Sequence, residues 1–156
     1  MELILWRHAD AESGIPDAGR RLTDEGRREA ARLARWLKPR LPPNFTVLAS
    51  PARRAQETAR ALTAAFQLLP AAATGATPQA LLEAAGWPER GGAVLVVGHQ
   101  PTLGQAAALA LSGRVIDFDV EKGAIWWLVR HPRTLKTRLR AVIAPDMAFT
   151  SADEAE

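Results

Sequence analysis

The chain contains no cysteine and no tyrosine. Without thiols it can form no disulfide, no thiolate nucleophile and no thiolate metal site, and a reducing compartment suits it. No apolar run approaches the length of a membrane span, and the N-terminal run is too short for a signal-peptide core. RNA-type aromatic motifs and internal repeats are absent, and alanine enrichment is the only low-complexity feature. Charge of one sign is also scarce: 20 Lys+Arg against 17 Asp+Glu leave a net +3. That excess argues against nucleic acid as the partner but suits an anionic substrate, because it is unevenly spread. Arg20, Arg21, Arg27 and Arg28 cluster early, while Arg130, Arg133, Lys136, Arg138 and Arg140 cluster late as a solvated face. A soluble cytoplasmic protein is the expectation.

The 156 residues suffice for one domain with an ordinary core, expected over 1–145, with 146–156 as a flexible tail. Strands and helices alternate along it. A buried strand over 2–7 leads through a loop to Thr23, an N-cap followed by Asp24 and Glu25, where acids complement the helix dipole. Ala30, Leu33, Ala34 and Leu37 then recur at helical spacing until Pro39 and Pro42-Pro43. A second strand, 45–49, runs into Ser50-Pro51, which reads as N-cap and N1 of a helix with Ala55, Ala59, Leu62 and Phe66 inward. The stretch 67–92 is poorly signalled, apart from a short helix over 78–85. The β-branched run 93–97 has the composition of a strand buried on both faces. It ends at Gly98-His99, and Gln100-Pro101 opens a helix closed by Gly113. Runs 124–129 and 135–143 around His131-Pro132 read as a hairpin. In that hairpin the Trp126-Trp127 pair puts one ring on each face of the strand.

The expected architecture is therefore α/β, a three-layer α/β/α sandwich on a mostly parallel sheet. Right-handed crossovers make the first three long strands parallel and bring their carboxyl ends to one edge, where open sheets bind ligands. Three polar junctions meet there: Arg7-His8, Ser50-Pro51-Ala52-Arg53-Arg54 and Gly98-His99-Gln100-Pro101. Two imidazoles, guanidiniums and a helix N-terminus form a cationic pocket whose natural guest is phosphate. His131 matches no such junction and reads as a turn residue. A metal site from His8, Asp10 and His99 lacks a fourth ligand.

These residues also carry a family resemblance. Leu5-Trp6-Arg7-His8-Ala9-Asp10 resembles the Arg-His signature of the histidine phosphatase superfamily, which includes the cofactor-dependent phosphoglycerate mutases. Ser50-Pro51-Ala52-Arg53-Arg54-Ala55-Gln56-Glu57-Thr58 resembles its Ser-Pro-x-x-Arg-Ala-x-x-Thr stretch, and Val97-Gly98-His99 its second-histidine motif. Arg-His-Ala, the segment Arg20-Arg21-Leu22-Thr23-Asp24-Glu25-Gly26 and the small size resemble the SixA-type phosphohistidine phosphatases. The resemblance implies a phosphoglycerate mutase-like fold. It implies His8 as a nucleophile that is transiently phosphorylated, Arg7 and Arg54 as ligands of the phosphoryl oxygens, and His99 as a donor to them. A neutral imidazole can attack without first losing a proton. Arginines take the place of a metal, so no cofactor is expected.

Arg20, Ser50 and Gln100 are the further candidates for substrate contact. The interval before His99 is too short for the insertion that supplies a general acid in larger members. Glu83 is the best-placed candidate within it, ahead of Asp10, Asp17 and Glu89. An alkoxide leaving group needs such an acid, whereas a protonated phosphohistidine does not. Phosphohistidine on a protein is thus the expected substrate, with a small phosphomonoester as the alternative and a non-catalytic anion-binding module as a third reading.

Overall fold

The computed structural model describes residues 1–151; the last five residues of the expected tail lie outside it. Six strands form one sheet: β1 (Glu2–Arg7), β2 (Phe45–Ala49), β3 (Gln67–Leu68), β4 (Ala93–Gly98), β5 (Ile125–Arg130) and β6 (Thr137–Ile143), in the order β3-β2-β4-β1-β5-β6. β1, β2, β3 and β4 are parallel, and the β5-β6 hairpin continues the sheet antiparallel to β1. Every residue of central β4 is buried, as its unbroken apolar run demands.

Helices cover both faces. Along β1 the side chains alternate, so Ile4 and Trp6 enter one core with α1 (Asp24–Leu37) and α2 (Arg53–Leu62). Leu3 and Leu5 enter the other, with α3 (Pro78–Ala84) and α4 (Thr102–Ser112). Period-two alternation on a strand covered on both sides makes the three-layer sandwich. Trp127 is buried in the first core, whereas Trp126 packs on the second and stacks on Phe118 at 5.5 Å.

Register aligns the functional edge. Trp6 stands beside Val97, and Val97 beside Ala49, so the three chains leave the sheet abreast as Arg7-His8, Gly98-His99 and Ser50. Helix α1 starts where expected: Thr23 Oγ1 accepts the Gly26 amide at 3.0 Å. Gly26 has no substitute there, because a Cβ would lie 2.1 Å from the Asp10 carbonyl oxygen. The first turn of α1 thus rests directly on the loop after His8.

Two helix starts differ from expectation. The N-cap of α2 is Ala52, not Ser50, whose hydroxyl is drawn to His99; α2 also ends before Phe66, which packs on the core from outside it. α4 starts at Thr102, and Gln100 caps it by accepting the Gly104 amide at 2.7 Å. β3 and the 3-10 turn Pro70–Ala72 fill part of the weakly signalled stretch. At the other end of the chain, Ala148 is buried in the first core and Arg32 Nη1 donates to the Pro145 carbonyl at 3.1 Å.

Candidate active site

The backbone of His8 is clamped from both sides. Its amide donates to Gly98 O of β4 at 3.1 Å, and its carbonyl accepts from Gly123 N ahead of β5 at 3.1 Å. The next amide, Ala9, donates to Thr58 Oγ1 at 3.0 Å, and Thr58 in turn donates to the Arg54 carbonyl at 2.8 Å. One buried hydroxyl therefore ties the loop after His8 to the helix that carries Arg54. The backbone at Ala9 is unstrained, since Leu135 is the sole non-glycine residue with positive φ among the described residues.

The two imidazoles face each other, ring centroids 5.2 Å apart and planes inclined by 54°. His8 Nδ1 lies 2.8 Å from the Ala9 carbonyl oxygen, which can only accept. The ring proton therefore sits on Nδ1, and the lone pair on Nε2 is left for attack. His99 Nε2 lies 2.7 Å from Ser50 Oγ, while Arg54 Nη2 approaches its Nδ1 at 3.4 Å. A guanidinium can only donate, so His99 carries its proton on Nε2 and gives it to Ser50. Burial pushes His8 down from 6.5 to about 4, aided by the cations of Arg54, Arg7 and Arg20 and opposed by the Ala9 hydrogen bond. Burial likewise lowers His99 to about 3, with His8 and Arg54 adding to the effect. Both rings are neutral at physiological pH.

Arg54 is almost fully buried, yet its Nε has no hydrogen-bond partner, and neither does the buried Nε of Arg7. The Arg7 Nη1 donates to Val120 O at 2.8 Å, which orients its fork from the loop before β5. Arg54 Nη1 donates to the Asp17 carbonyl at 2.9 Å and its Nη2 to Asp17 Oδ2 at 3.2 Å. The other Asp17 oxygen lies 3.2 Å from Arg20 Nε. Asp17, in the 3-10 turn Asp17–Gly19, therefore bridges two cations, and Arg54 holds its carboxyl below the usual range. Buried guanidinium N–H groups with no acceptor, beside two neutral imidazoles, form a receptor for an oxyanion.

Of the residues expected here, His8, Arg7, Arg54 and His99 converge, and Arg20 joins them through Asp17. Ser50 is present but plays another part: its fully buried hydroxyl accepts the Ala52 amide at 3.2 Å and holds His99, so it is a positioning residue and not a substrate ligand. Gln100 is turned to structure as well, with Nε2 donating to Phe118 O at 2.7 Å while Oε1 caps α4. Glu83 lies elsewhere. It occupies the last turn of α3 and lines a groove with Leu109, Gly113 and Arg130, at the edge of the sheet where β1 begins. Thr58 is the residue the motif reading left without a role, although it stood inside the quoted stretch after Ser50. Asp17, named from the sequence as an alternative general acid, is instead the carboxylate partner of Arg54 and Arg20.

Comparison with known proteins agrees with this geometry. The sequence pattern of the Histidine phosphatase superfamily (branch 1) matches residues 3–75. No curated protein matches by sequence. Among solved structures, the protein histidine phosphatase SixA complexed with tungstate superposes with a TM-score of 0.78 at 24% identity, covering 94% of this chain and 98% of that one. A protein from Nakamurella multipartitia assigned as a SixA phosphohistidine phosphatase gives 0.72 at 27% identity, over 92% and 95%. A phosphoserine phosphatase from Entamoeba histolytica, solved with phosphoserine, gives 0.70 at 16% identity, over 95% and 99%. The signature residues thus gather at one sheet edge in a fold of the phosphoglycerate mutase type, and residues 3–75, which carry Arg7-His8 and Arg54, are similar to the histidine phosphatase superfamily (branch 1).

Proposed function

We propose that this chain hydrolyses phosphohistidine on a protein substrate through a phosphorylated His8. Asp17 carries the reading. Among the described residues it is the one carboxylate bonded to the guanidiniums of the phosphate pocket, and Arg54 keeps it ionised. An ionised carboxylate cannot protonate an alkoxide, so a phosphomonoester would leave slowly. A phosphohistidine whose ring is protonated needs no such help, because neutral imidazole is itself a good leaving group. The SixA-type folds that this chain resembles support the same substrate class.

In the first step His8 Nε2 forms a bond to phosphorus as the P–N bond to the substrate breaks, and its electron pair leaves on the substrate imidazole. In the second, water adds to phosphorus, the P–Nε2 bond breaks, and inorganic phosphate departs with the water's oxygen. Arg7 and Arg54 hold the equatorial oxygens in both steps, which is most of what phosphoryl transfer asks of a protein. His99 donates to a phosphoryl oxygen once its proton stands on Nδ1. The Ser50 hydroxyl permits that change, since it can turn from acceptor to donor toward Nε2. The proposed setting is the cytoplasm, with a histidine-phosphorylated protein as transient partner and with neither metal nor nucleic acid taking part.

A small-molecule phosphomonoesterase is the second reading, favoured by the carboxylates of Asp119 and Glu121, which border Arg7 from a neighbouring hollow. Steady-state turnover of a phosphohistidine peptide against p-nitrophenyl phosphate separates the two. Clear preference for the ester overturns the phosphohistidine assignment. Acid-quench trapping of the phosphoenzyme tests the nucleophile: the label maps to His8 and vanishes in His8→Ala. An unchanged rate in that variant would mean another nucleophile, whereas no turnover by the wild-type chain would leave a binding module.

A further inference from the structure

Next to the phosphate pocket, on the far side of Arg20, lies a second hollow of about 270 Å³ lined by Glu12, Ser13, Pro16, Arg20, Arg21 and Arg53 among others. The strap after His8 supplies two of its arginines and the first residue of α2 the third. Three guanidiniums and one carboxylate line the hollow.

Arg21 and Arg53 are each hydrogen-bonded through Nε, while the Nε of Arg20 lies near a carboxylate oxygen without a hydrogen bond. Arg20 Nε meets Asp17 Oδ1 at 3.2 Å, Arg21 Nε meets Glu12 Oε2 at 2.8 Å, and Arg53 Nε meets Glu57 Oε1 at 3.2 Å. Pairing through Nε fixes the plane of a guanidinium and leaves its two Nη groups for another acceptor. Each arginine is balanced by its carboxylate, so the outward Nη groups, and not a net positive charge, are what the hollow offers to an anion. A hollow of this size admits a carboxylate side chain.

We infer that this hollow is a second anion subsite, which receives the carboxylate of an acidic residue flanking the phosphorylated histidine of the protein substrate. The inference rests on the phosphohistidine reading given above. Asp17 links the two sites: one of its oxygens faces Arg54 in the phosphate pocket and the other faces Arg20, which lines the hollow. A phosphoryl group and a carboxylate can therefore bind on either side of a single aspartate. Specificity would then come from the pair of anions, not from the phosphoryl group alone.

Two chemically phosphorylated histidine peptides, identical except for Glu or Gln flanking the phosphohistidine, test this with the wild-type enzyme and the Arg21→Ala/Arg53→Ala double variant. Wild type should show a kcat/KM about two- to fivefold higher for the Glu peptide, the range an exposed ion pair can give. In the double variant the ratio should collapse toward one. Taking the ratio within one enzyme removes any general loss of activity. Equal turnover of the two peptides by wild type, or an undiminished ratio in the double variant, overturns the subsite. If neither peptide is hydrolysed while p-nitrophenyl phosphate is, the phosphohistidine reading fails, and the protein-borne occupant with it. If a discrimination of this kind appears only among small phosphomonoesters with and without a second carboxylate, the occupant is part of a small molecule and the protein assignment is overturned.

Discussion

The depressed basicity of His8 makes stability depend on pH in a way that one substitution can isolate. In the fold the ring titrates at about 4, mainly because it is buried, while in the unfolded chain it returns to its ordinary 6.5. Between those values the unfolded state binds a proton that the native state refuses, so stability falls as pH drops through the window and levels off below it. The slope is about 1.4 kcal/mol per pH unit for each proton, so most of the interval from pH 7 to pH 5 costs about 2 kcal/mol at this one residue. His8→Asn removes the titration yet retains an N–H that can donate to the Ala9 carbonyl as Nδ1 does. Urea unfolding of both proteins at pH 7 and pH 5, in buffers free of phosphate, measures the difference. The variant should lose about 2 kcal/mol less than wild type over that range. Because carboxylates and His99 titrate in both proteins, their contributions largely cancel. Equal losses in the two would refute the claim that burial holds His8 neutral, and with it the account of how the nucleophile is prepared.

Ser50→Ala leaves the buried His99 N–H without its acceptor, a loss of about 1–3 kcal/mol; steady-state kinetics should show kcat falling at least about tenfold with a smaller change in KM. Gly26→Ala must move either α1 or the loop after His8, because the new Cβ would sit 2.1 Å from Asp10 O. Urea midpoints should register at least about 2 kcal/mol of destabilisation, the scale of an overpacked site. Glu83→Gln, remote from the phosphate pocket, should alter turnover of a phosphohistidine peptide by less than about twofold. A large drop would mean that α3 reaches the reacting groups.

Where the governing interaction is local, the sequence was a reliable guide. The 2–7 strand, the Thr23 cap and the Gly113 stop are set by side-chain period, by a hydroxyl within reach of amides three residues on and by a φ of 74° that favours glycine. Where the partner is distant, local rules misled. Ser50 has the composition of an N-cap, yet the helix starts later and its hydroxyl, besides accepting the Ala52 amide, holds His99, 49 residues away. Gln100 stands beside the second histidine, but Phe118 and Gly104 take its amide. Glu83 lies in the right interval of the chain and at the wrong end of the sheet, because α3 carries its last turn away from the catalytic edge.

By itself, then, the order of strands and helices determined that Arg7-His8, Arg54 and His99 would share an edge, since parallel strands with right-handed crossovers leave few other arrangements. Only the tertiary structure decided which atoms are free to act. The proton of His8 sits on Nδ1 because a carbonyl faces it, and Arg54 and Arg20 are joined by Asp17 because the strap between β1 and α1 folds back across the pocket. Backbone topology follows from periodicity along the chain, whereas protonation and charge pairing depend on distances of about three ångströms between residues far apart in sequence.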